Sequence, residues 1–268
     1  MAMTEDEWGA TEQGRAYQNF RKYTESLGMV FIGGELGGLL TLGIEKFGKW
    51  AAKNPQISSK PLPPESVELI ERLDAKHQQS LRNSLIVIAA WGSFEGCIED
   101  VVKATITADD SLLAGTKMSV ERMKQKHSIT DADEILDRQW RALQQQPSPK
   151  LPACEKLEEV LGLVGLAGQV APLVRDSFDV AYAIRNVWAH NAGMADHTFR
   201  TRAPLWNVDL DSCVDIDREQ AGFYLSAIIF YGFIILNRHR ASHGLDPIPN
   251  VGKPAETPLG QAYTQLYG

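Results

Sequence analysis

Cysteine is scarce in this chain. Cys97, Cys154 and Cys213 are spread over 268 residues, odd in number and without a Cys-x-x-Cys pair. That excludes a disulfide framework and a cysteine zinc site, and points to buried thiols in a reducing compartment. A run of about 20 uncharged apolar residues, the length a membrane span needs, is also missing. Residues 27–44 contain Glu35 and six glycines, and the uncharged stretch 221–236 is 16 residues long. Both read as segments buried in protein, and membrane association is not expected. Positive charge is not in excess: 27 Lys and Arg stand against 34 Asp and Glu, a net charge of -7. This argues against non-specific coating of DNA. It leaves room for a small local anion site, because screening confines surface fields to about 8–10 Å. The first residues carry Glu5, Asp6 and Glu7 where a secretion signal would be basic, so a cytoplasmic location is expected. Gly-Gly-Glu-Leu-Gly-Gly at 33–38 lacks the Lys-Ser/Thr ending of a phosphate loop, and there is no nucleophile elbow, alternating strand pattern or internal repeat.

What the chain does have is helical periodicity, punctuated by proline and glycine. A polar helix is expected at 5–26, a glycine-rich apolar segment at 27–52, and a linker at 54–64, where four prolines forbid a continuous helix. The chain divides accordingly into a helical N-terminal extension (1–60), a helical domain (61–243) and an extended C-terminal tail (244–268). Within the domain, helices are expected from Glu65 or Ser66 to about Thr105, at 119–145 with a break near 128–131, and at 153–170. A further helix opens at Pro172 and stops ahead of Gly193, and the last runs from Asp215 or Asp217 to about Arg240. Gly92 and Gly96 read as a place of close helix packing. The sum is an all-α bundle of four to five helices.

The chemistry concentrates in Ala-Ile-Arg-Asn-Val-Trp-Ala-His-Asn-Ala-Gly at 183–193. Asn186 and His190 are four apart and share one helix face. Arg185 points elsewhere at its Cβ but is long enough to reach the same cleft. An imidazole can donate or accept a proton near neutral pH, and a guanidinium can grip a phosphate through two parallel hydrogen bonds. Together they suit RNA cleavage by the ribose 2′-hydroxyl, which needs proton transfer and charge stabilisation but no metal. A plainer alternative, a helix-end histidine beside a solvated or ion-paired arginine, fits the same two residues. Trp188 and its apolar neighbours mark a packed helix with polar residues in the minority, and Asn186 and Asn191 add hydrogen-bonding groups; both favour the functional reading.

Arg-Asn-Val-Trp-Ala-His-Asn-Ala-Gly resembles the R-N-x-x-x-H signature of HEPN domains, in the form found in the RiboL-PSP-HEPN group of bacterial proteins. Leu85–Asp100 is similar to the family's first core helix, an apolar run followed by an acid. The apolar helix at 217–240 is similar to its last, so the resemblance spans about residues 78–240. It implies a four-helix core, a two-fold homodimer with a composite cleft, and metal-independent endoribonuclease activity without a cofactor. Many such proteins are toxins or anti-phage effectors, which implies an antitoxin or regulatory protein as a partner besides RNA. Arg185 and His190 would be catalytic, Asn186 would orient substrate or imidazole, and Glu95 would be the acidic partner, with Glu99 a turn away. Asn191, Arg200 and Arg202 would contact substrate, although the two arginines also fit a merely charged loop. Some members bind nucleotides or proteins without cleaving RNA, so a non-catalytic binding module is the alternative; an effector that meets a membrane through residues 27–52 is a further one.

Two weaker candidates sit near the end of the last helix. His239 and His243 have the spacing of a zinc-binding pair, but no third ligand is evident and no metal is expected. Arg238, His239 and Arg240 read either as a small anion patch or as a solvated helix end.

Overall fold

The computed structural model describes residues 3–33, 75–114, 117–127, 131–249 and 256–267. Among these the chain forms ten α-helices, one 3₁₀ turn at Asp110–Leu113, and no strand. The helices are α1 (Glu5–Gly9), α2 (Glu12–Gly33), α3 (Ala75–Ala108), α4 (Val120–His127) and α5 (Ala132–Gln144). They continue with α6 (Ala153–Gly162), α7 (Pro172–His190), α8 (His197–Arg202), α9 (Arg218–Ser242) and α10 (Pro258–Tyr267). The chain is all-α.

Three helices, α3, α7 and α9, pack against one another at the centre. Their contact is aromatic. Trp91 and Phe94 of α3, Phe178 of α7 and Tyr231 of α9 lie with ring centroids 4.5–5.8 Å apart, and all four are buried. Such pairs add about 0.5–1.5 kcal/mol each beyond the burial itself. The apolar composition of α9 follows from its position: it packs against α2, α3, α7 and α10. By length and composition it could cross a membrane, yet 56% of its apolar window is buried inside the protein.

The helix ends follow their local chemistry. Pro172 sits in the first turn of α7, and Gly193 just beyond its end has φ +80°. Asp217 caps α9: its carboxylate accepts from the Gln220 amide, and the Gln220 side chain accepts from the Asp217 amide.

Several expectations are corrected. The N-terminal helix is two helices. Thr11 breaks it, donating its hydroxyl to the Trp8 carbonyl and accepting from the Gly14 amide. Helix α2 then continues to Gly33, into the apolar segment; the rest of that segment, the linker and the start of α3 near Glu65 lie outside the described residues. The extension shares the main core, since Ala16 and Phe20 are buried with it. A Cβ at Gly232 would lie 2.8 Å from the Phe20 ring, so α2 and α9 need glycine there.

The helix expected at 153–170 ends at Gly162. Arg238 donates to the Leu166 and Gln169 carbonyls, and Glu158 accepts from the Gly168 amide, which holds the following segment as a loop. The tail is not extended throughout: α10 packs on α9. Asn237 donates to the Tyr263 hydroxyl at 2.6 Å and accepts from the Ile248 amide, while Tyr263 donates to the Ile248 carbonyl. Among the described residues nothing lies within 4 Å of a Cβ built at Gly92 or Gly96, so none of these residues packs closely on either. The segment 194–215 contains α8 and a bridge between Met194 and Cys213.

Candidate functional site

The apolar members of the 183–193 stretch build the platform. Val187 and Trp188 are buried. The Trp188 indole donates to the Val214 carbonyl at 3.2 Å, and its ring closes over Gly193, where a Cβ would approach it to 2.8 Å. Amides of Asn191 and Gly193 both donate to the Val187 carbonyl. The helix therefore stops just past His190 and is pinned to the chain at 214.

On that platform the polar residues converge. Arg185 Nη1 donates to Asn186 Oδ1 at 2.9 Å and lies 3.0 Å from His190 Nε2. A guanidinium has only donors, so Nε2 must accept, and the imidazole in this arrangement is neutral with its proton on Nδ1. Both Nη1 protons are thereby used. Among the described residues the remaining edge, Nε and Nη2, faces one weak claim: a Glu95 oxygen 3.9 Å from Nη2, too far for a hydrogen bond. A free Nε–Nη2 edge is what takes two phosphate oxygens. The site is open, with His190 exposed and the Arg185 and Glu95 side chains 26% and 48% exposed.

Arg185, Asn186, His190 and Glu95 are thus brought together. Glu99 is drawn away into an ion pair with Lys103, which also holds Asp137 of α5. Glu95, Glu99 and Asp137 border one hollow together with Arg141. Asn191 uses its amide on the Met194 carbonyl, within the turn that ends α7. Arg202 lies over the Tyr182 ring at 5.0 Å, while Arg200 is exposed on α8.

Tyr182 is the residue that the sequence reading passed over. Burial would raise its phenol, but hydrogen bonds with Asn186 and Arg202, and the charges of Arg202 and Lys156, bring it below the usual tyrosine value. It links Arg202 to the motif. Its signal was present: Tyr182, Asn186 and His190 follow at i, i+4 and i+8 on one helix face.

The second cluster has a different meaning from either one expected. Arg238 pairs with Glu158, His239 Nδ1 accepts from the Trp8 indole at 3.2 Å, and Arg240 pairs with Glu5. These residues hold the protein together and form neither an anion patch nor a solvated end. Burial pushes His239 down to about 4, and among the described residues no three His, Cys, Asp or Glu side chains cluster as metal ligands do. Cys97 and Cys154 are buried thiols raised to about 12 by desolvation, whereas Cys213, expected to be buried like them, is only half-buried. In comparisons with protein-family models, curated proteins and solved structures, nothing matches this chain.

Proposed function

We propose that the chain is a metal-independent endoribonuclease of the HEPN type, cleaving RNA by attack of a ribose 2′-hydroxyl on the adjacent phosphorus. The observation that carries the reading is the Arg185 guanidinium, bridging Asn186 and His190 through Nη1 while its Nε–Nη2 edge stays open. As Arg185 turns to the phosphate it releases Nε2 of His190, which then takes the 2′-hydroxyl proton as the 2′-oxygen bonds to phosphorus. The bond to the 5′-oxygen breaks, and that oxygen receives a proton from the protonated His190 of a second chain. Arg185 holds the non-bridging oxygens, Asn186 and Glu95 fix its guanidinium, and Arg202 lies where the strand continues. The products are a 2′,3′-cyclic phosphate and a 5′-hydroxyl.

Purified protein incubated with RNA in EDTA is expected to leave cyclic-phosphate or 3′-phosphate ends. Loss of a general acid–base typically costs about 10²–10⁴-fold, so folded His190→Ala should be nearly inactive. Undiminished cleavage by that variant would falsify the assignment. The net charge of -7 favours a second reading, a non-catalytic module that takes a nucleotide or a partner protein. In that case wild-type protein leaves RNA intact in the same assay.

A further inference from the structure

Tyr182 stands between the protein core and the motif. Its ring packs on buried Trp91 of α3, with ring centroids 5.0 Å apart, and the Arg202 guanidinium of α8 lies over it at 5.0 Å. A ring held by both an aromatic neighbour and a cation keeps its hydroxyl in one place. Asn186 follows one turn later on the same face of α7, and its side chain is hydrogen-bonded to the Tyr182 hydroxyl. The Asn186 amide also takes Arg185 Nη1 on Oδ1 at 2.9 Å, and the same Nη1 reaches His190 Nε2 at 3.0 Å. An unbroken series of contacts therefore runs from Trp91 and Arg202, through Tyr182 and Asn186, to Arg185 and His190.

The donors and acceptors of this series fall into one arrangement. A guanidinium has no acceptor, so the Asn186 oxygen faces Arg185 and the Asn186 nitrogen is left to meet Tyr182. The phenol agrees. Burial works against it, yet the bonds from Asn186 and Arg202 hold it below the usual tyrosine value, as donors to a phenol oxygen do. An amide held at its oxygen alone can turn over and show its NH2 group to Arg185, donor against donor. Held at its nitrogen as well, it cannot. Trp91 and Glu95 lie about one turn apart on α3, so that helix supports the guanidinium twice: through Tyr182 and Asn186, and through the Glu95 carboxylate at 3.9 Å. When Arg185 turns to a phosphate and releases His190, Asn186 is the acceptor that stays in place.

We propose that Tyr182 is a positioning residue: its hydroxyl oxygen, placed by Trp91 and Arg202, locks the Asn186 amide with its oxygen towards Arg185 and so sets the guanidinium that grips the scissile phosphate. Tyr182 acts through Asn186 and not on the reacting atoms. Its effect on cleavage rests on the endoribonuclease reading; the locked amide is a property of the folded chain alone.

Tyr182→Phe removes the oxygen and keeps the ring against Trp91 and Arg202, so its melting temperature should stay near that of wild type. The test reads the Asn186 and Arg185 side chains by NMR in that variant without RNA. The Asn186 amide signals are those lost in Asn186→Leu, and the Arg185 Nε signal is the one lost in Arg185→Lys. In folded Tyr182→Phe the Asn186 amide protons are expected to move upfield, and the Arg185 signal to move with them. Unmoved signals overturn the proposal, whether or not wild-type protein cuts RNA. If Tyr182→Phe does not fold, Asn186→Leu tests the same series from its middle: the Tyr182 Cζ signal and the Arg185 signal should both move, and a Cζ signal that stays in place overturns the proposal. On RNA in EDTA, kcat of Tyr182→Phe is expected to fall by roughly tenfold, as for a displaced phosphate-gripping group, with KM nearly unchanged. An unchanged kcat overturns the positioning role even where the signals move. Moved signals in a protein whose wild type cuts nothing keep the locked amide and remove the endoribonuclease reading.

Discussion

Arg185 divides its donors between the protein and the place a substrate would occupy, and Glu95 bears on the second group. Its carboxylate stands 3.9 Å from Nη2 with the side chain 48% exposed. As a stabilising contact this pair is worth at most about 1 kcal/mol. As a guide for the guanidinium it matters more, because displacing a phosphate-gripping group by about an ångström can cost up to 10²-fold in rate. Glu95→Gln keeps the shape and removes the charge. Its RNA cleavage is expected to fall by roughly tenfold while the melting temperature hardly moves. If neither changes, Glu95 is a solvated surface acid and leaves the site. At this scale much was legible in the sequence. Asn186 and His190 share a helix face by spacing alone, and Arg185 needs only its length to join them. The aromatic hollow lined by Trp91, Trp140, Phe178 and Tyr182 was not legible, because it forms where α3, α5, α6 and α7 meet from distant parts of the chain, and periodicity reads one helix at a time.

Among the elements, α7 and α9 were readable because their ends carry their own chemistry: Pro172 and Gly193 for one, the Asp217–Gln220 box for the other. Where long-range contacts set the boundary, the pattern misleads. Gly162 ends α6 because Arg238, 76 residues further on, takes the carbonyls of the next segment. Helix α10 hides behind three prolines, though Leu259, Tyr263 and Tyr267 follow at i, i+4 and i+8 with Pro258 in the first turn. The junction of α1 with the end of α9 yields a pH dependence. His239 accepts from Trp8 beside His243, and next to it Arg240 pairs with Glu5 over the Trp8 ring. With a folded value of about 4 against an ordinary 6.5, the folded state binds fewer protons than the unfolded chain between those limits. The contribution is fully present above about pH 6.5 and is lost as pH falls towards 4, by up to about 3 kcal/mol. His239→Asn keeps an acceptor for Trp8 and cannot titrate. Between pH 7.5 and 4.5, melting curves should show wild type losing more stability than this variant. Equal losses would mean that His239 is not what couples the N-terminal helices to pH.

The whole molecule supplies one Arg185 and one His190 per chain, whereas in-line cleavage requires a base for the 2′-hydroxyl and an acid for the leaving 5′-oxygen. One imidazole, once Arg185 releases its Nε2, would serve as the base. A closed two-fold interface sets each group opposite its own copy, so a dimer pairing two α7 ends would provide the acid from the same residue. Wild-type and His190→Ala chains, mixed equally and allowed to exchange, pair at random to give about one quarter wild-type dimers and one half mixed dimers. If both histidines are needed, activity per dimer falls to about a quarter of wild type; if each chain works alone, to about a half. Size measurement on the same mixture shows whether dimers exist at the working concentration. The value near one half, or a monomer that still cleaves, would discard the composite site, and the proton for the 5′-oxygen would have to come from within one chain. Tyr182 would then be the first group to test: its phenol lies below the usual tyrosine value and contacts Asn186, and Tyr182→Phe would remove the proton without removing the ring.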